Sequence, residues 1–156
     1  MASSLQSSPI TRNELASNLL GRAYYLHLGL LETRLGEAGL GDLVRPGMAG
    51  VLCALFQHDD QTISSVAKTV RVAKSTMTGT VERLKNAGLI SINRDRLDRR
   101  AYRLKLTNEG KKLEPTLREV MEDLEESVCQ ELNPEEHSTL RKLLKRTIET
   151  MVESRV

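Results

Sequence analysis

"QTISSVAKTVRVAKSTMTGTVERLKNAGLISINRDRLDRRAYRLKLTNEG", Gln61 to Gly110, changes its hydrophobic period part-way along, and that change decides the fold. In the first half, Val66, Val70, Met77, Val81 and Leu84 recur at helical spacing and would pack two helices against each other. The first is a short helix around residues 63–69 and the second spans about 73–87, with Val70-Arg71-Val72 as a tight connection. Gly88 suits the left-handed position just past a helix end. Beyond it Leu89, Ile90 and Ile92 alternate roughly with polar residues, and Tyr102, Leu104 and Leu106 do so at strict period two. The spacing therefore predicts a helix–turn–helix running directly into a charged β-hairpin, which is a winged helix.

The hairpin concentrates like charge. Arg94, Arg96, Arg99, Arg100, Arg103 and Lys105 fall within twelve positions, with only Asp95 and Asp98 among them. Residues 61–105 hold eleven Lys/Arg against three acidic residues, a net +8, whereas residues 1–60 carry −2 and residues 106–156 carry −4. A basic module between acidic ones is the electrostatic footprint of a polyanion partner. Exposed local ion pairs, worth about 0–1 kcal/mol each, do not account for such segregation.

On the second helix, burying Met77, Val81 and Leu84 turns a definite face outward. With a step of about 100° per residue, Ser75, Thr78, Gly79, Glu82 and Arg83 lie on or near the opposite side, with Lys74 and Thr76 beside it at the helix start. A helix N-terminus of this kind fits the major groove of duplex DNA. Small hydroxyls approach bases or phosphates closely, and Gly79 removes a side chain that would hold the backbone away. The competing reading leaves Ser75 and Thr76 as helix caps and Gly79 without a role. A hairpin tip rich in arginine suits the negative potential of a narrow minor groove.

Outward from this module, a long helix is expected from Thr11 to about Gly36, with Leu15, Leu19, Leu26 and Leu30 on one face, ending at the glycine cluster of "GEAGLGD". Pro46 suits the first turn of a second helix whose apolar face is Met48, Val51, Leu52 and Leu55. His58-Asp59-Asp60 reads as a polar turn. On the other side Thr107 is a fitting N-cap for a long helix in which Pro115 marks a kink or a late start. Asn133, Pro134 and Glu136 form an N-cap, first-turn and capping-box set opening a last helix with Leu140, Leu143, Leu144, Ile148 and Met151. The terminal helices are amphipathic without an obvious core of their own, which suggests a dimerisation layer. The expected class is mainly α with a small β-hairpin (α+β): one domain over 1–156, dimerisation helices at 11–37 and 107–156, and a winged helix–turn–helix lobe at 45–106.

Composition closes other routes. At 156 residues the chain can bury a core without staples. Its four aromatics, Tyr24, Tyr25, Phe56 and Tyr102, are too few for the stacking platforms of single-stranded nucleic-acid sites. Cys53 and Cys129 form no C-x-x-C, and His27, His58 and His137 do not flank them at zinc-ligand spacing, so reduced thiols, no metal and no cofactor are expected. "MASSLQSSPI" lacks the features of a signal peptide, and the longest apolar run, "VLCALF", is far shorter than the ~20 residues of a membrane span, so a cytoplasmic protein without membrane contact is expected. No Gly-rich phosphate loop, G-x-S-x-G or H-E-x-x-H points to an enzyme.

The order of these elements, and above all "RDRLDRRAYRLKLTNEG", resembles the multiple-antibiotic-resistance regulator (MarR) family of bacterial transcription factors. The wing of that family reads Arg, a few residues, Asp-x-Arg, an alternating strand and Leu-Thr-x-x-Gly. Arg94, Asp98-Arg99-Arg100, Leu106-Thr107 and Gly110 supply it here, and the resemblance covers the chain from Thr11 onward. It implies a homodimeric, sequence-specific regulator of double-stranded DNA, a repressor released by a small amphipathic or phenolic effector, acting on a pseudo-palindromic operator. By position it assigns Arg100 to the minor groove with Asp98 orienting it, and Arg94, Arg96 and Arg99 to flanking phosphates. The recognition residues would be Lys74, Ser75, Thr76, Thr78, Gly79 and Arg83. An effector crevice would be bordered by Tyr24, His27 and Met48, which are equally readable as interface or core residues. Peroxide-sensing relatives carry a cysteine near the start of the first helix that this chain lacks, and urate-responsive relatives a Trp that is also absent. Two alternatives stand beside this reading: a winged-helix adaptor that binds protein without DNA, and redox control through Cys53 or Cys129.

Overall fold

The structure, a computed structural model, describes residues 14–154. Among the described residues ten elements follow in order: α1 (Ala16–Glu37), α2 (Pro46–Gln57), β1 (Gln61–Thr62), α3 (Ile63–Val70), α4 (Lys74–Asn86), β2 (Ile90–Arg94), β3 (Tyr102–Leu106), α5 (Asn108–Lys112), α6 (Glu114–Cys129) and α7 (Pro134–Glu153). The chain divides into two compact units, one running to Met121 and the other from Glu122 onward.

Within the first unit an aliphatic core gathers the winged helix. Leu52 and Leu55 of α2, Val66 of α3, Met77 and Leu84 of α4, and Leu89, Leu104 and Leu117 are all closed to solvent. Leu31 and Leu35 are the buried side chains of α1. The face expected to be apolar there, Leu15, Leu19, Leu26 and Leu30, is exposed in the single chain. The expected start of α1 at Thr11 lies outside the described residues, and the helix proper begins at Ala16.

Local chemistry explains the boundaries. Pro46 occupies the first turn of α2. Thr62 caps α3 by accepting from the Ser65 amide at 3.2 Å. Arg71 ends α3 in the left-handed region (φ 56°), an unusual place for a non-glycine residue. Gly88 follows α4 at φ 72°, its amide bonded to Lys85 O (2.9 Å) and that of Leu89 to Leu84 O (3.0 Å), the closure the sequence suggested.

The hairpin is part of a three-stranded antiparallel sheet in the order β1-β3-β2. Ile90 faces Leu106, Ile92 faces Leu104 and Arg94 faces Tyr102, while Gln61 and Thr62 pair with Leu104 and Arg103. The third strand, β1, had no sequence signal, because two polar residues carry no periodicity. Downstream, the expected single helix after Thr107 is two. Thr107 caps α5 by accepting from the Gly110 amide at 3.0 Å, but α5 ends at Lys112 and α6 starts at Glu114. Pro115 sits in the first turn of α6, where its missing N–H is harmless, so it marks a fresh start and no kink.

In the second unit Asn133 and Glu136 complete the capping box that opens α7, with Pro134 in the first turn. No residue of α7 is buried: Leu143, Leu144, Ile148, Met151 and Val152 are all exposed.

Candidate nucleic-acid interface

Helix α4 presents the face anticipated from its period. Met77, Val81 and Leu84 are buried, and Ser75, Thr76, Thr78, Glu82 and Arg83 are exposed, with Gly79 half-buried among them. A Cβ at Gly79 would meet nothing within 4 Å. Packing therefore does not require glycine there. Lys74 is the first residue of α4, and its side chain lies outside the described residues. The N-cap is Ala73, which offers no side-chain acceptor, so Ser75 and Thr76 stand inside the first turn and do not cap. Thr80, not singled out from the sequence, is buried and donates to Thr76 O at 3.0 Å, bracing the first turn from within.

The wing is held by one buried carboxylate. Asp95 is 8% exposed. Its Oδ1 accepts the Leu97 and Asp98 amides at 2.7 and 2.8 Å, and its Oδ2 accepts Arg103 Nη1 at 2.8 Å. Arg103 also donates Nε to Asp60 Oδ1 at 2.8 Å and Nη2 to Asp60 O. Asp59 accepts the Leu106 amide at 2.9 Å. The turn read as merely polar thus ties the base of the wing to the end of α2. The Arg103 hydrogen bond, then the two amides, bring the Asp95 carboxyl down from 3.8 to about 2. Arg103 is raised reciprocally by Asp95 and Asp60. Arg103 and Asp95, counted from the sequence as part of an outward charge cluster, are spent inside the molecule.

What remains at the tip is open to a partner. Leu97 is 98% exposed and the Arg100 side chain 93%. Arg94, Arg96 and Arg99 are exposed as well, and so is Asp98. Asp98 Oδ1 accepts both the Arg100 amide (2.9 Å) and its Nε (3.3 Å), so the carboxylate that the resemblance assigned to orient Arg100 does touch it. Arg94 lies 5.9 Å from the Tyr102 ring centroid.

The Leu-Thr-x-x-Gly segment behind the wing has a structural meaning. Thr107 donates its hydroxyl to Gly88 O at 2.6 Å and its amide to Leu89 O at 3.0 Å. A Cβ on Gly110 would fall 2.1 Å from Leu89 O. Only glycine allows α5 to pack this closely on the turn that leads into the wing.

The model of the MarR family matches residues 49–102, from within α2 to the start of β3. The helix–turn–helix and the first part of the wing are thus similar to the MarR family over about a third of the chain. The chain is 27% identical over 146 residues to the HTH-type transcriptional repressor NicR of Pseudomonas putida, covering 94% of this chain and 90% of NicR. It is similar to BpsR of Bordetella bronchiseptica, whose DNA binding is regulated by 6-hydroxynicotinic acid, with 27% identity, a TM-score of 0.80 and coverage of 90% and 97% of the two chains. PcaV of Streptomyces coelicolor, solved with its natural ligand, shares the fold at 22% identity and TM-score 0.80, over 92% and 98% of the two chains. Among the described residues no helix is long and apolar enough to cross a membrane.

The residues considered for an effector site differ in setting. Tyr24 is 59% exposed with its ring edge-on to Tyr25 at 5.8 Å, His27 is half-buried, and Met48 is 3% exposed within the core. Cys53 and Cys129 are free thiols, both half-buried. Burial pushes the Cys53 thiol up, with Arg118 partly offsetting it, which lowers its thiolate fraction and its reactivity.

Proposed function

We propose that this regulator is a homodimeric, sequence-specific binder of double-stranded DNA that represses transcription until a small effector releases it. The observation that carries this is the wing: Asp95 and Arg103 brace it from inside while Arg94, Arg96, Arg99 and Arg100 are left unburied around its tip. An internal strut that holds a cationic tip rigid suits insertion into a minor groove, with α4 in the adjacent major groove. Ser75, Thr76, Thr78, Gly79 and Arg83, with Lys74 at the helix start, form the reading surface, and Arg94, Arg96 and Arg99 position the wing on phosphates. A cytoplasmic location follows from DNA as the partner.

The dimer reading rests on two exposed apolar stripes, Leu15, Leu19, Leu26 and Leu30 on α1, and Leu143, Leu144, Ile148 and Met151 on α7. Helices 11–37 and 107–156 would form the dimerisation layer, and 45–106 the DNA-binding lobe. Two-fold symmetry then implies a pseudo-palindromic operator with half-sites about one helical turn apart.

For the effector, the similarity to BpsR supports a small hydroxylated aromatic acid. Tyr24, His27 and Met48 would border its crevice, and because Tyr24 is open in the single chain, a second protomer would have to close it. The raised thiol of Cys53 weighs against redox control through that residue.

The test is fluorescence-anisotropy titration with duplex DNA from upstream of the protein's own gene, against a scrambled duplex, over several salt concentrations. Tighter binding to the upstream duplex with a steep salt dependence, and release by 6-hydroxynicotinic acid or a related hydroxyaromatic acid, is the expected result. Equal, weak and salt-insensitive binding to both duplexes would favour the adaptor reading.

A further inference from the structure

The linear spacing of cysteines and histidines gave no metal motif, yet the fold brings three different donors together in the second unit. Glu125 and Cys129 lie four residues apart on one face of α6, and His137 lies in the first turn of α7. A carboxylate oxygen, the thiol sulfur and a ring nitrogen of these residues all lie within 4.8 Å of one another. His137 Nε2 is 2.8 Å from Glu125 Oε1. We propose that Glu125, Cys129 and His137 bind a borderline divalent metal ion, Zn²⁺ above all, and thereby clamp the corner between α6 and α7.

The donor set selects the ion. Thiolate and imidazole exclude Mg²⁺ and Ca²⁺, which take oxygen ligands, and suit Zn²⁺. Three protein ligands leave the fourth tetrahedral position to water. With one thiolate, one carboxylate and a neutral imidazole, the bound site carries no net charge.

The geometry needs little adjustment. Around a tetrahedral Zn²⁺ with bonds of about 2.0–2.3 Å, ligand atoms stand about 3.5 Å apart. The Glu125–His137 contact must open by about 0.7 Å and no other separation need close by more than about 1.3 Å, changes within reach of side-chain rotation. The backbone is already set. Leu132 N bonds Cys129 O at 2.9 Å at the end of α6, and the Asn133–Glu136 capping box fixes the first turn of α7 beneath His137.

Carboxylates dominate the α6–α7 corner along the sequence, while Arg141 and Lys142 of α7 share a surface hollow with His137. From Glu122 to Ser138 the sequence has seven acidic residues and no Lys or Arg. Cys129 and His137 are half-buried and Glu125 is exposed, so an ion can reach the site while its sulfur stays shielded. Binding converts the Cys129 thiol to a zinc-bound thiolate and releases its proton to solvent.

The experiment is titration of the reduced, chelator-free full-length protein with Co²⁺, followed by displacement with Zn²⁺. The expected result is saturation at one Co²⁺ per chain, a near-ultraviolet thiolate-to-cobalt charge-transfer band, and loss of that band when Zn²⁺ is added. Cys129→Ser should abolish the band, His137→Gln and Glu125→Gln should each weaken binding at least tenfold, and Cys53→Ser should leave it unchanged. A band that persists in Cys129→Ser, a band lost in Cys53→Ser, or affinity unchanged in both His137→Gln and Glu125→Gln would overturn the site. Circular dichroism of each variant checks its folding, and if Cys129→Ser does not fold, the His137 and Glu125 variants decide the matter.

Discussion

Replacing Gly110 by alanine adds a single methyl group at a place where the backbone of another segment already stands. The new Cβ would lie 2.1 Å from Leu89 O, 3.1 Å from Leu89 C and 3.3 Å from Leu106 Cδ2. The first two atoms are backbone and cannot rotate away, so α5 must move off the Gly88–Leu89 turn by about 1 Å to restore ordinary contact. That movement stretches the Thr107 amide bond to Leu89 O and the Thr107 hydroxyl bond to Gly88 O. Overpacking costs about 3 kcal/mol at the upper end of its usual range. Two weakened hydrogen bonds add about 2 kcal/mol. Alanine returns about 1 kcal/mol through its helix propensity. The net loss is about 4 kcal/mol, which for a chain of this size lowers Tm by roughly 10 °C. Thermal unfolding followed by circular dichroism, with urea titration for the free energy, measures both. A Gly110→Ala protein within about 1 kcal/mol of the parent would refute the claim that this glycine is held by close approach.

Gly79→Ala should do the reverse for stability, because nothing lies within 4 Å of the added Cβ. A gain of about 1 kcal/mol in urea titration is expected, with weaker operator binding in anisotropy as the sign that the bare backbone approaches DNA. Arg100→Ala should weaken operator binding roughly tenfold or more, whereas Arg96→Ala should lower affinity evenly across sequences and reduce the salt slope by about 1. Intact affinity in the Arg100 variant would end the wing assignment. Because the Asp95 carboxyl falls from 3.8 to about 2 on folding, its contribution is complete above about pH 4 and is lost as pH falls through about 2. In Arg103→Met the Asp95 titration, followed by NMR of its carboxyl carbon, should move back up, and an unchanged midpoint would show that Arg103 is not its main partner.

Much of the lobe was legible in the chain because local rules decided it. The helical period of Met77, Val81 and Leu84, the left-handed Gly88 and the period-two run Tyr102, Leu104, Leu106 each constrain neighbours only a few residues apart, and the structure follows them. The outward face of α4 follows from the same arithmetic, since burying one side of a helix exposes the other. The capping box at Asn133 is likewise a four-residue device.

Partners distant in sequence were decided only by the tertiary structure. Charge counting placed Arg103 and Asp95 in the outward cluster, but whether a charge meets solvent or another charge depends on what the fold sets beside it. Arg103 reaches back 43 residues to Asp60, and Asp59 reaches forward 47 to the Leu106 amide. The strand β1 exists because β3 offers an edge to pair with, and Gly110 is indispensable because Leu89 O lies against it. Glu125, Cys129 and His137 match no linear motif, since α6 and α7 must first turn back on each other to gather them. Periodicity is a property of one segment and can be read from it, whereas pairing belongs to two segments and appears only once both are in place.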